Sequence, residues 1–237
     1  MTDEMNVFRK EIKYKLNYLE YSSLLYLLGN CLKEDEHGLR QDGYMVRSLY
    51  FDSLDDTDFF DKEDGYEERK KLRLRVYQPE DVHAKLEIKS KYGDNQRKES
   101  LVITRAEARE MILGNYEFLS SYDSQIARTV ILLLKKQVYR PKTMIEYRRK
   151  AFVIPGNDTR ITFDREIHAS ESDFDLFNSR PLYYLIQNRN EVVMEVKYCN
   201  FLFGYLRELL SEADREQITY SKYYMARSIS KNIRMNV

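Results

Sequence analysis

Residues 69–92 read RKKLRLRVYQPEDVHAKLEIKSKY. Two alternating runs flank Pro79. In the first, Leu72, Leu74 and Val76 fall on one parity and Arg73 and Arg75 on the other. In the second, Leu86 and Ile88 oppose Lys85, Glu87, Lys89 and Lys91. Successive side chains of a strand point to opposite faces, so each run is a strand with one apolar and one charged face. Gly93-Asp94-Asn95 then turns the chain, and Arg97 to Ile103 returns as the partner of a hairpin. Thr104 caps a helix running to Leu113, with Glu107 at capping-box spacing.

The same pattern extends outward. Strands are predicted at Phe8–Leu16, Tyr44–Ser53, Pro141–Val153, Arg160–Ile167 and Glu191–Tyr198. Helices are predicted at Tyr18–Leu32 behind an Asn17 cap, at Ser121–Lys136, at Leu202–Ala213 and at Ser221–Asn232. The acidic run Asp55–Asp64 reads as a short surface helix with a solvated face. With no linker, low-complexity tract or internal repeat, residues 1–237 read as a single α+β domain.

Composition narrows the function. The 237 residues are 43% hydrophobic and 13% aromatic, which excludes a disordered chain, and 8 Gly with 4 Pro exclude collagen-like material. Lys and Arg number 39 and so do Asp and Glu, so any strong anion site must arise by local sorting of charge, and a nucleic-acid partner is not expected. Cys31 and Cys199 are too few for a disulfide framework or a Cys-rich zinc module, and both are expected to pack as small hydrophobes. His37, His83 and His168 lack metal-ligand spacing. No apolar run approaches the ~20 residues of a membrane span, and MTDEMNVFRK has no apolar signal region, so a cytoplasmic setting is expected. Neither a G-x-x-x-x-G-K-[ST] loop nor a G-x-G-x-x-G turn occurs.

The polar strand faces carry an unusual density of charge. Besides the opening hairpin, Arg9, Glu11 and Lys13 share a parity, as do Arg160, Thr162 and Asp164, and Glu195 and Lys197. Two arrangements satisfy this pattern. The faces are solvated and laced by cross-strand ion pairs; or helices cover the outside of a curled sheet and the charges line a closed polar tunnel. Such a lumen suits a polyanion with a divalent cation, because Arg and Lys bind phosphate oxygens and hard cations take carboxylates.

Eight segments, in order, resemble the VTC-type polyphosphate polymerase domain of the triphosphate tunnel metalloenzyme, or CYTH-like, superfamily. They are RKEIK (9–13), SLYFD (48–52), LRLR (72–75), LEIK (86–89), YRRKAF (147–152), RITFD (160–164), MEVK (194–197) and YSKY (220–223). The resemblance covers nearly the whole chain. It implies an antiparallel, closed β-barrel tunnel of about eight strands with flanking helices. It also implies an ATP-dependent polyphosphate polymerase: the γ-phosphate of ATP passes to a growing inorganic polyphosphate or pyrophosphate chain with manganese or magnesium assisting. Carried over, Lys13, Arg73, Arg75, Lys89, Arg149, Arg160 and Lys197 form the catalytic set. Lys13, Arg73, Arg75, Lys89, Arg149, Arg160, Ser221 and Lys222 hold phosphates, and Glu195 holds the metal. Glu11 and Glu87, from their register, are further metal or water-orienting candidates.

That inventory fits phosphoryl transfer, which needs positioning and charge neutralisation more than a Ser, Cys or His nucleophile. There are two departures from the superfamily. Arg9 stands where hydrolytic cousins carry the first glutamate of E-x-E-x-K, which favours the polymerase branch. Thr219 stands where the family has a basic residue, removing one phosphate contact. The alternatives are a metal-dependent tripolyphosphate or nucleoside triphosphate hydrolase, and a non-catalytic polyphosphate-binding module.

Overall fold

The computed structural model describes residues 9–35, 42–93, 95–154, 158–211 and 217–235. Among these, ten strands and six α-helices follow the order β1 (Arg9–Asn17), α1 (Tyr18–Cys31), β2 (Lys33–Glu34), β3 (Tyr44–Asp52), α2 (Thr57–Glu63), β4 (Arg69–Val76), β5 (His83–Tyr92), β6 (Asn95–Thr104), α3 (Arg105–Leu113), α4 (Gln125–Lys136), β7 (Arg140–Ile154), β8 (Thr159–Ser170), β9 (Tyr184–Leu185), β10 (Glu191–Cys199), α5 (Gly204–Ser211) and α6 (Lys222–Met235). The chain is α+β with a large antiparallel sheet. Phe8, His37, Asp94 and the Pro155-Gly156 stop lie outside the described residues, as does the side chain of Arg9.

The local signals act as their chemistry requires. Asn17 accepts from the Glu20 amide while Glu20 reaches back to the Asn17 amide, a reciprocal box that starts α1. Thr104 and Glu107 repeat it at α3, and Gly114, at φ 95°, ends that helix. The predicted Ser121–Lys136 helix is shorter: a 3-10 turn spans Glu117–Ser121, and Ser124 caps α4. The two-residue strands β2 and β9 were too short to leave a periodic trace.

The chain forms two compact units. The first comprises residues 1–44, 147–166 and 187–220; the second comprises residues 45–146, 167–186 and 221–237. In the first, β1, β10, β8 and the distal part of β7 are neighbours in that order. Leu24 and Leu28 of α1 and Leu206 and Leu210 of α5 pack on Ile161, Phe163, Met194 and Val196. In the second, β3, β4, β5 and β6 are neighbours in order. Leu72, Leu74, Leu86 and Ile88 are buried under Ala108 and Met111 of α3 and Val130 and Leu134 of α4. Burying each such leucine contributes about 1.5–3 kcal/mol. Helices therefore cover the apolar parity of each strand run, as the alternation requires.

The expected closed barrel is corrected. The hydrogen-bonded path runs β1-β10-β8-β7-β3-β4-β5-β6, and no pairing joins β6 to β1 among the described residues. Closure needs both edges free to pair. The free side of β1 is already met by another segment: Tyr14 bridges Gln217, and the Ile218 amide donates to the Lys13 carbonyl at 2.9 Å. The first half of β6 (Asn95 to Lys98) is exposed and polar, as edge strands commonly are.

Two further expectations change. Cys31 is exposed, while Cys199 is buried. The acidic run is not simply a solvated face, because Asp58 of α2 is buried and accepts from the Tyr139 hydroxyl at 2.8 Å. Just before α2, Asp56 pairs with Lys142, Arg227 and Lys231, each at 2.7–2.9 Å.

Candidate functional site

The candidate residues fall into two clusters, one in each unit. In the second unit the charged parity of the opening hairpin forms cross-strand rows. One row is Lys71, Lys89 and Lys98; the next is Tyr50, Arg73, Glu87 and Ser100; the third is Ser48, Arg75 and Lys85. Glu87 is the single carboxylate in these rows. Like charges directly opposite one another disfavour a sheet, and the Lys98 end of the lysine row is compensated by Glu87.

Glu87 holds the arginines. Arg73 Nε donates to Glu87 Oε2 at 2.7 Å, Arg75 Nε lies 3.6 Å from the same oxygen, and Lys98 pairs with Oε1. Arg73 also donates from Nη1 to the Tyr50 hydroxyl at 3.0 Å, and Arg75 from Nε to Ser48 Oγ at 3.3 Å. Burial alone would raise the Glu87 carboxyl, but Arg73, Arg75 and Lys98 bring it down to about 2. Tyr50 and Tyr77 report the same field. Each is raised by burial, yet the Arg73 and Arg75 guanidiniums at Tyr50, and Arg75 and Lys85 at Tyr77, bring both phenols below their ordinary value. Ser221 caps α6, accepting from the Tyr224 amide at 3.3 Å and from Lys71 Nζ at 2.7 Å. Lys222 opens the helix and adds to the positive field at Tyr50.

The first unit's cluster is charge-balanced. On the β1–β10 ladder Lys13 opposes Glu195 and Glu11 opposes Lys197. Lys13 Nζ lies 3.0 Å from Glu11 and 3.7 Å from Glu195, and Lys197 Nζ lies 2.6 Å from Glu195 and 3.7 Å from Glu11. Lys13 Nζ also donates to the Tyr220 carbonyl at 2.9 Å. Arg149 grips Asp164 with two parallel bonds, Nε to Oδ1 at 2.6 Å and Nη2 to Oδ2 at 2.7 Å. Its neighbours on the other parity point elsewhere: Arg148 is exposed and Lys150 pairs with Glu34. Arg160 donates to Asp35 at 2.5 Å and to the Tyr44 hydroxyl at 3.1 Å. Burial pushes Glu195 up, but Lys197, Lys13 and Arg149 outweigh it and hold the carboxyl well below its usual range. Burial pushes Lys13 down, and Glu195 and Glu11 outweigh it, so the ammonium is held above its usual value.

Three carboxylates were expected at a metal, and each is described within its own unit. Glu11 and Glu195 share the first; Glu87 is the arginine anchor of the second. Among the described residues no group of three or more His, Cys, Asp or Glu side chains is arranged to hold a metal ion. Glu11 and Glu195 still suit a hard cation. They are adjacent carboxylates, and the buried hydroxyl of Thr162, cross-strand from Glu195, has no hydrogen-bond partner among the described residues. Magnesium and manganese are commonly held by one or two carboxylates, with substrate phosphates completing the shell.

A sequence profile described as the VTC domain matches residues 2–231. The chain belongs to the VTC domain family. No curated protein sequence matches this VTC domain significantly. Solved structures share its fold. A candidate adenylate cyclase of Bacillus halodurans superposes with a TM-score of 0.52 at 11% identity, covering 90% of this chain and 95% of the other. A candidate adenylyl cyclase from Hippeastrum, described as having a dominant triphosphatase activity, gives 0.51 at 14% identity, covering 92% and 96%.

Sequence reasoning passed over several residues of the VTC domain's clusters. Lys71 carries the parity of Arg73 and could have been read from it. Lys98 required the register of the hairpin around Gly93. Asp164 was grouped with Arg160 by parity, but its partner Arg149 sits on another strand. Tyr50 lies within the SLYFD segment, where nothing local distinguishes it.

Proposed function

We propose that this VTC domain is a phosphotransferase that lengthens inorganic polyphosphate with the γ-phosphate of ATP, using Mn²⁺ or Mg²⁺. The observation that carries the reading is the row of Lys71, Lys89 and Lys98 beside Arg73 and Arg75, opposed by one carboxylate that itself anchors the arginines. A cationic face of that density is matched by a polyphosphate, whose charges repeat at every phosphorus. Lys71, Arg73, Arg75, Lys89, Ser221 and Lys222 hold phosphate oxygens there. In the first unit Glu11 and Glu195 would hold the divalent cation, and Lys13, Lys197, Arg149 and Arg160 supply compensating positive charge.

The cation, when bound, neutralises charge developing on phosphate oxygens. An anionic terminal oxygen of the chain attacks the γ-phosphorus of ATP and forms the new P–O bond. The bond from that phosphorus to the β,γ-bridging oxygen breaks, and ADP leaves with the electron pair. No proton need be removed from the attacking oxygen, so the reaction needs no Ser, Cys or His nucleophile. No described helix is long and apolar enough to cross a membrane.

The test is incubation with ATP and Mn²⁺, with ADP release measured and products run on a gel stained for polyphosphate. Polymer with matching ADP supports the proposal. Orthophosphate without polymer replaces it with the hydrolase reading, for which the triphosphatase activity of the Hippeastrum protein is the argument. Tight tripolyphosphate binding with neither product replaces it with a binding module.

A further inference from the structure

We infer that Tyr50 is a further phosphate-binding residue of the second unit's cationic face, donating its phenolic proton to a bound phosphate oxygen; the inference rests on the phosphate-binding reading of that face. Tyr50 lies directly across from Arg73 on the β3–β4 ladder and shares its parity. The Arg73 guanidinium donates to the phenolic oxygen at 3.0 Å and stands 5.7 Å from the ring centroid. That bond uses Tyr50 as acceptor. Its own O–H proton has no acceptor among the described residues, although the side chain is more than nine-tenths buried (7% exposed). A buried donor without an acceptor costs the fold free energy, and a phosphate oxygen would relieve it.

The ring is held from behind. Tyr223 stacks on Tyr50 with centroids 5.5 Å apart and planes at 28°. The Tyr223 hydroxyl donates to Asp52 Oδ2 at 2.5 Å, and the same carboxylate accepts from the amides of Ser53, Asp58 and Phe59 at 2.7–3.1 Å. Tyr223 directly follows Lys222, so the clamp that fixes the Tyr50 ring also fixes the start of α6. The lowered phenol, acidified by Arg73, Arg75 and Lys222 against the effect of burial, makes a stronger donor. Tyr50 thus offers a neutral donor among cations and binds an anion without adding like-charge repulsion.

The experiment measures tripolyphosphate affinity by calorimetry for the wild-type chain, Tyr50→Phe and Arg75→Ala, without metal or ATP. Phenylalanine keeps the ring on Tyr223 and removes the hydroxyl alone. The expected result is an affinity about tenfold weaker, the usual effect of losing one hydrogen bond to a charged group. Should Tyr50→Phe fold poorly, proton NMR of the wild-type chain supplies the second readout. A phenolic proton moving downfield on tripolyphosphate addition is expected, and no such resonance counts against the inference. If Tyr50→Phe binds as wild type while Arg75→Ala has lost affinity, the face binds phosphate and the Tyr50 inference is wrong. If the wild-type chain itself does not bind, the phosphate-binding reading fails and takes the inference with it.

Discussion

Arg73 and Glu87 are cross-strand partners joined at 2.7 Å, and the carboxylate they share with Arg75 and Lys98 is almost wholly buried. The pair sets the aim of the Arg73 guanidinium, since Glu87 takes its Nε and Tyr50 takes its Nη1. Replacing Glu87 with Gln removes the compensating charge while the cations stay. Breaking a buried pair from one side typically costs about 3–5 kcal/mol, so Glu87→Gln should lower the denaturation midpoint clearly. An unchanged midpoint in a urea titration would refute the anchoring role.

The same carboxylate predicts an acid-sensitive window. Its folded value is depressed from 4.5 to about 2, so the stability it contributes is complete above 4.5 and is lost as pH falls toward 2. Stability measured between pH 5 and pH 2 should fall in wild type and fall less steeply in Glu87→Gln.

Asp58 predicts the opposite slope. Burial and the neighbouring Asp52 carboxylate push it from 3.8 up to about 7, against the lowering effects of Lys70 at 3.7 Å and the Tyr139 hydrogen bond; Asp61 adds to the rise. A raised carboxyl favours the fold while protonated, so its contribution is present below 3.8 and is lost as pH rises through 7. Asp58→Asn keeps an acceptor for Tyr139 and imitates the protonated form. It should gain about 1–3 kcal/mol at pH 8 and clearly less at pH 5. Melting curves at the two pH values decide; equal gains at both would reject a titrating Asp58.

Much of this was legible in residues 69–104. The alternation assigned parities for Arg73, Arg75, Glu87 and Lys89, and the capping residues at Asn17 and Thr104 marked two helix starts. Edge pairing was not legible, because whether β1 meets β6 or the segment near Gln217 depends on contacts more than 200 residues apart in the chain. Asp58 was misread for a related reason. An acidic run looks solvated until Tyr139, some eighty residues on, is folded over it. The pairing of Glu195 with Lys13 and of Glu87 with Arg73 also depended on strand neighbours, which parity within one strand does not reveal.

Gly43 supplies a test of how Arg149 is positioned. It has φ +72°, and a Cβ built there would stand 2.2 Å from the Arg149 carbonyl oxygen. Alanine would meet both a left-handed backbone penalty and a backbone clash that no side-chain rotation relieves. Gly43→Ala should destabilise by about 2–4 kcal/mol. Because β7 would have to shift at Arg149, the bidentate hold on Asp164 should loosen as well. A variant as stable as wild type in thermal unfolding would contradict the tight approach.

Arg75→Ala isolates anion binding from folding. Arg75 is buried, yet its loss leaves Glu87 served by Arg73 and Lys98, so no carboxylate is stranded. Tripolyphosphate affinity should weaken about 10–100-fold while the melting temperature stays within a few degrees. Loss of stability with affinity retained would make Arg75 a structural residue.

Glu195→Gln addresses the metal. Glu195 is matched by Lys13 across the ladder and by Lys197 at 2.6 Å, so the carboxylate is held ionised, the state in which the proposal has it bind a cation. Glutamine keeps the size and one oxygen but removes the charge, leaving Glu11 as the remaining carboxylate beside two lysines. Mn²⁺-dependent turnover of ATP should fall by about 10–100-fold or more, since loss of even a supporting group at a metal site has an effect of that size. Metal-free tripolyphosphate binding should be retained, because the cationic rows around Arg73 do not include Glu195. Turnover that survives with its Mn²⁺ dependence intact would move the metal away from Glu195. Loss of metal-free binding as well would show that Glu195 organises the anion site itself.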